Sequence, residues 1–196
     1  MISNLLQYSL MVASVLVLFA QTAAATLVTN GGFETGDFSG WTLSGAVNGS
    51  TRVTDNVVDT TFVHVHSGTF GVVGGPGANG TVFIAQNLAT NNSDNYIVSF
   101  SLANNTPPFG SDFTASWNGS TLLSLTNPTA FGFLDFSFPV IGTGTDTLQF
   151  ALRHDGSAWG LDDVAVTLAP VPIPSALVLL ATGLSGLRFA RRRTTT

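Results

Sequence analysis

The stretch "DFTASWNGSTLLSL", residues 112–125, decides the class of fold. Phe113, Ala115 and Trp117 alternate with polar residues, so an extended chain puts all three on one face. Asn118-Gly119 comes next, a dipeptide suited to the two positive-φ positions of a two-residue hairpin turn. The run "STLLSL" then leads back. Two strands joined by a tight turn make an antiparallel pair.

The same two-residue period recurs on both sides of this hairpin. "NYIVSFSL" aligns Tyr96, Val98, Phe100 and Leu102, and "FLDFSFPV" aligns Leu134, Phe136, Phe138 and Val140. "DTLQFALR" aligns Leu148, Phe150 and Leu152, and "DDVAVTL" aligns Val164, Val166 and Leu168. Earlier candidate strands are "ATLVT", "GWTLSG", "TFVHVH", "FGVVGG" and "TVFIAQNL". Nothing between residues 26 and 170 sustains a helical period, and Gly, Asn, Asp and Pro punctuate the runs. Around ten short strands with one apolar and one polar face predict a single antiparallel β-sandwich.

Both ends of the chain read differently. Residues 5–20, "LLQYSLMVASVLVLFA", are apolar and lead to Ala23-Ala24-Ala25, which fits the small-residue cleavage rule of a secretory signal peptide over residues 1–25. The leading "MISN" carries no lysine or arginine, so an N-terminal membrane anchor or a buried helix is the other reading. At the far end, "VPIPSALVLLATGLSGLRFARRRTTT" spans residues 171–196. Val171 to Ala190 is just long enough to cross a bilayer as a helix. Arg188, Arg191, Arg192 and Arg193 then hold that end in the cytoplasm by the positive-inside rule.

Between these ends all eleven acidic residues face only Arg52 and Arg153, a net charge of −9 for residues 26–170. That sign opposes binding to nucleic acid or anionic lipid. The chain has no cysteine, so disulfides, thiol catalysis and thiolate metal sites are excluded. Asn-x-Ser/Thr triplets begin at Asn48, Asn79, Asn91, Asn104 and Asn118, as expected by chance in a chain rich in turn residues.

Few residues look chemical. His64 and His66 in "FVHVH" share one face of the strand expected there, a pair without a third metal ligand nearby. Asp162 and Asp163 are neighbours in an expected strand, and point to opposite faces unless a bulge intervenes. His154-Asp155 has no serine in a nucleophile-elbow context. No catalytic constellation emerges. Trp41, Trp117, Trp159 and Tyr96 are the aromatics a sugar-binding surface would draw on, and none of them has to be exposed.

Two segments carry a resemblance. "NGGFETGDFSGW", Asn30 to Trp41, and "WGLDDVAV", Trp159 to Val166, resemble the opening and closing strands of secreted jelly-roll domains of the galactose-binding and carbohydrate-binding-module type. In that family a Glu of the opening segment and an Asp of the closing strand commonly hold a structural calcium, with backbone carbonyls completing the shell. The matching positions are Glu34 and Asp162, with Asp163 beside them. A hard, oxygen-ligated cation would offset part of the acidic charge; the alternative is that these residues cap turns.

The tail resembles the PEP-CTERM sorting signals of Gram-negative bacteria that build extracellular polymeric matrix. Val171-Pro172-Ile173-Pro174, the apolar run and the arginine cluster occur in that order. Ile173 stands where the commonest motif has glutamate, as in the Val-Pro-Leu-Pro-Ala variant. The resemblance implies recognition by an exosortase, removal of the tail and transfer from the inner membrane to the cell surface or matrix. A plain tail anchor is the other reading. The expected function is that of a non-enzymatic surface or matrix protein; the alternative is a carbohydrate-binding module attaching cells or matrix to a polysaccharide.

Overall fold

The computed structural model describes residues 25–47, 51–55, 63–75, 80–105 and 110–170. The expected signal peptide and the sorting tail, Val171 to Pro174 and Arg188 to Arg193 included, lie outside the described residues. Among the described residues no helix is long and apolar enough to cross a membrane.

Ten strands form among the described residues: β1 (Thr42–Gly45), β2 (Arg52–Asp55), β3 (Phe70–Gly74), β4 (Val82–Ala89), β5 (Asn95–Asn104), β6 (Ser111–Trp117), β7 (Ser120–Thr126), β8 (Phe131–Ile141), β9 (Thr145–His154) and β10 (Trp159–Leu168). They build two five-stranded antiparallel sheets, β1-β4-β9-β6-β7 (sheet A) and β2-β3-β10-β5-β8 (sheet B). The β6–β7 hairpin turns at Asn118 and Gly119, whose φ values of 50° and 78° are the pair a type I′ turn requires.

The apolar faces meet in one core. Phe100 sits at its centre, with ring centroids 5.1 Å from Phe150, 5.5 Å from Phe136 and 5.8 Å from Phe113. Trp41, Trp117, Trp159 and Tyr96 are all buried, Trp41 stacked on Phe33 of the opening segment at 5.6 Å. Two expected strands do not form. "ATLVT" runs beside β10 with a Leu27 N–H to Val166 O bond of 2.8 Å, yet adds no ladder. "TFVHVH" is irregular over its described residues, because residues 63–66 cross the outer face of sheet B instead of joining it. A Cβ at Gly71 would lie 1.9 Å from the His64 carbonyl oxygen, and one at Gly160 would lie 2.4 Å from that of Val63. The missing side chains leave the room for this crossing.

Candidate functional site

The residues singled out at the two ends of the domain do converge. In β10 the ladder to β5 shifts register between Asp162 and Ala165, and Asp163 has φ 50°. This is the bulge on which a shared face for Asp162 and Asp163 depended: the extra residue turns both carboxylates toward the crossing segment. Asp162 is fully buried and accepts three backbone N–H bonds, from His66 (2.8 Å), Ser67 (3.2 Å) and Asp163 (2.7 Å). Glu34 accepts the N–H groups of Thr69 (2.9 Å) and Phe70 (3.1 Å). Residues 66–70 are thus strapped by one carboxylate from each end of the domain.

Asp163 holds the side chains of the same strap. It accepts the Ser67 hydroxyl at 2.7 Å and bonds His66 Nδ1 at 2.6 Å. That geometry is not a nucleophile–base set, since hydroxyl and imidazole both face the carboxylate and not each other. The Asp163 bond raises the His66 pKa above its usual value. Burial pushes Asp162 up to about 6 in spite of its backbone donors. The two histidines expected as a pair are separated in role: His64 is buried within the segment that crosses sheet B, and His66 lies exposed near Phe133, ring centroids 5.0 Å apart and tilted at 54°. His154 is also buried, accepting the Ser157 N–H at Nδ1, while Asp155 pairs with Arg153.

A test of the calcium expectation follows from the same atoms. Among the described residues no three His, Cys, Asp or Glu side chains are grouped to hold a metal by themselves. The carboxylates are hard oxygen donors of the type calcium takes, but in this structure they are engaged by N–H donors of the 66–70 strap, and Asp163 by His66 and Ser67. Glu34 and Asp162 offer only oxygen, no cationic side chain is among the partners of buried Asp162, and calcium shells draw heavily on backbone carbonyls.

A second surface was not singled out by the sequence reading. On sheet A the outward positions form rows across the strands. Ser44, Phe83, Ala151, Thr114 and Ser124 lie in one row, and Thr42, Ala85, Gln149 and Ser116 in the next. The first row crosses all five strands and spans about 19 Å, given the usual spacing between strands. Phe83, Gln149, Ala151 and Thr114 are half-buried, as outward residues of a central sheet are when no described residue crosses them. Among the described residues nothing hydrogen-bonds the Gln149 side-chain amide. Sheet B differs: its outward Gly71, Val73, Gly160 and Asp162 are buried, on the side where residues 63–67 cross it. The signal that finds Phe83 is its parity, one step out of phase with Val82 and Ile84.

Comparison with protein-family models finds no match. Comparison with curated proteins finds none either. Solved structures do match. A carbohydrate-binding module, TmCBM61, solved with β-1,4-galactotriose, has a TM-score of 0.57 at 19% identity, over 74% of this chain and 100% of its own. The CBM22-1 xylan-binding domain of Paenibacillus barcinonensis Xyn10C has a TM-score of 0.51 at 17% identity, covering 78% and 99%. The enzymatically active domain of tailspike protein 4 from bacteriophage CBA120 reaches 0.54 at 15% identity, with this chain spanning 21% of its length. At these identities the likeness defines a fold: an antiparallel sandwich of the jelly-roll kind found in carbohydrate-binding modules. Fold does not carry activity with it.

Proposed function

We propose that the domain is a non-catalytic carbohydrate-binding module of an exported protein, attaching cells or matrix to a polysaccharide. The outer face of sheet A, which no described residue crosses, carries this reading. Phe83 supplies a ring for stacking on a pyranose, while Gln149, Asn87 and Thr114 supply amide and hydroxyl groups for sugar hydroxyls. The fold it shares with modules named for galactotriose and xylan supports the same class. The Ser67–Asp163–His66 cluster lacks the order of a catalytic set, which favours binding over turnover.

Calorimetric titration with galacto- and xylo-oligosaccharides tests the proposal. Phe83→Ala is expected to weaken binding about tenfold or more, the equivalent of about 1.4 kcal/mol lost with the stacked ring. Thermal stability should hardly change, since Phe83 is outside the core. Binding that survives in a Phe83→Ala, Gln149→Ala double variant would move the site elsewhere, and no glycan binding at all would remove the function.

The sequence supports the remainder of the reading. The signal peptide exports the chain, and the exosortase recognises Val171 to Pro174, cuts there and frees the domain from its membrane span. Protein from the native host should then end near Val171 to Pro174 by intact mass, whereas a host without exosortase should retain the full tail. Replacing Pro172 and Pro174 with alanine should block cutting and leave insertion intact, because the apolar run is unchanged. A surface protein that keeps its arginines in the native host would support a plain anchor instead. We further propose calcium at Glu34 and Asp162, with Asp163 beside them, as a structural ion that fastens the strap.

A further inference from the structure

At the pole where β10 ends, apolar side chains stand outside the core. Ile141 is 60% exposed, Leu168 49% and Leu27 37%. The ladders gather them: Leu168 pairs with Tyr96, Ile141 pairs with the adjacent Asn95, and the Leu27 N–H bonds Val166 O. Ile97 and Pro139, cross-strand partners, extend the patch over the outer face of sheet B, because Tyr96 and Val98 on either side of Ile97 turn inward. The two arginines of the domain lie toward the opposite pole, Arg52 paired with Val73 and Arg153 next to the His154 N–H to Gly75 O bond.

The chain leaves the domain at this same pole. The Ala169 N–H donates to Asn95 O at 2.8 Å, which fixes the end of the sandwich beside β5. Val171 opens the apolar run two residues later, and Ser175, after the prolines, is six residues away. Fully extended, those tethers reach about 7 Å and about 20 Å. The headgroup zone outside the hydrocarbon core is itself about 5–8 Å deep on each side. A span entering the bilayer on so short a tether brings the pole down to it.

We propose that before processing this pole rests on the lipid surface, with Ile141, Leu168 and Leu27 at headgroup depth. This rests on the reading of residues 171–190 as a membrane span. Contact is apolar: among the described residues the side-chain charge near the patch is that of Asp94, hydrogen-bonded to Asn91, and the amino terminus that signal-peptide removal leaves at Thr26 offsets it. β5, β8 and β10 all have an end at this pole, so the strands stand up from the membrane. The open face of sheet A then looks sideways, clear of the bilayer.

The absence of cysteine permits single labelled sites. The chain from Thr26 to Thr196, the form that signal-peptide removal leaves, carries a fluorophore at Asn95→Cys, next to Ile141, and is reconstituted in phosphatidylcholine vesicles with a spin-labelled lipid. A second sample carries the label at Thr129→Cys, in the loop at the opposite pole. Quenching at 95 is expected to exceed that at 129 several-fold, and to be the same at low and high salt. Ile141→Asp with Leu168→Asp, both exposed and outside the core, should bring quenching at 95 down to the level at 129. Retention of the chain on carbonate extraction with equal quenching at both sites overturns this proposal alone. Release by carbonate overturns the tail reading and the docking with it.

Discussion

Asp146→Ala is expected to destabilise the domain by about 3–5 kcal/mol, the range for breaking a buried charged network, and to lower Tm by roughly 10–20 °C. Asp146 is fully buried, and its two oxygens take donors from three different connections. Thr143 gives its N–H at 2.9 Å and its hydroxyl at 2.7 Å, and Thr90 and the Asn118 amide complete the set. Thr90 and Asn118 in turn hold neighbouring backbone, through Gly144 N–H at 3.1 Å and Thr147 N–H at 2.8 Å. Removing the carboxylate leaves four donors facing an apolar methyl at once. Asp155→Ala, which breaks a half-exposed pair with Arg153, should stay within about 0.5 kcal/mol.

The same residue sets the acid limb of stability. Burial alone would raise its pKa, but the Thr90, Thr143 and Asn118 bonds outweigh that and hold it at about 2. A folded value below the unfolded 3.8 means stabilisation that is present above pH 4 and lost as pH falls toward 2. Thermal melts across that window should show a steep decline in the parent protein and a shallower one in Asp146→Ala. Parallel curves for the two proteins would show that Asp146 does not carry the acid limb.

Asp146 also shows how much the sequence held. In "DTLQFALR" it has the parity of Leu148, Phe150 and Leu152, so an inward-facing acid could be read directly, as could Gln86 between Ile84 and Leu88. The hairpin at Asn118-Gly119 and most of the strands were legible because alternation and turn chemistry are local properties. β2 was not anticipated: "RVTD" is four residues long and has no alternating apolar pair. "FVHVH" misled for the opposite reason. Its alternation suits a strand, and what keeps it out of the ladder is non-local, the carboxylates of Glu34 and Asp162 holding residues 66–70 so that residues 63–66 cross the outer face of β3 and β10. The convergence of Glu34 with Asp162 and Asp163 was reached only through family resemblance. The bulge that makes it work depends on a positive φ at Asp163, which nothing in "LDDVAV" announces. The outer face of sheet A is not legible from tryptophan and tyrosine, since Trp41, Trp117, Trp159 and Tyr96 are all buried and the partly exposed ring belongs to Phe83. Among the Asn-x-Ser/Thr triplets read as chance occurrences, Asn104 is buried and Asn118 is tied to Asp146, so neither amide is free to carry a glycan.

Calcium is expected to raise Tm by roughly 5–15 °C, from about 2.7 kcal/mol when the free ion exceeds its dissociation constant a hundredfold. Glu34→Ala should abolish that increment, although it also removes the acceptor for two strap N–H groups and so lowers Tm on its own. The difference between calcium and EDTA, not the absolute Tm, is therefore the readout. pH supplies an independent one. In EDTA, burial holds the folded Asp162 pKa at about 6 against 3.8 unfolded, so the folded state binds the extra proton and stability falls as pH rises from 4 to 6. His66, raised by Asp163, adds stability that is present below pH 6.5 and is lost as pH rises through its folded value. A bound cation stabilises the charged form of Asp162 and so works against the first of these losses. The calcium increment should accordingly grow between pH 4 and 6 and vanish at the acid end, where the carboxylate is protonated and cannot ligate. Equal melting temperatures in calcium and EDTA at neutral pH would leave Glu34 and Asp162 as anchors of the strap alone, with their backbone N–H partners as the whole of their chemistry.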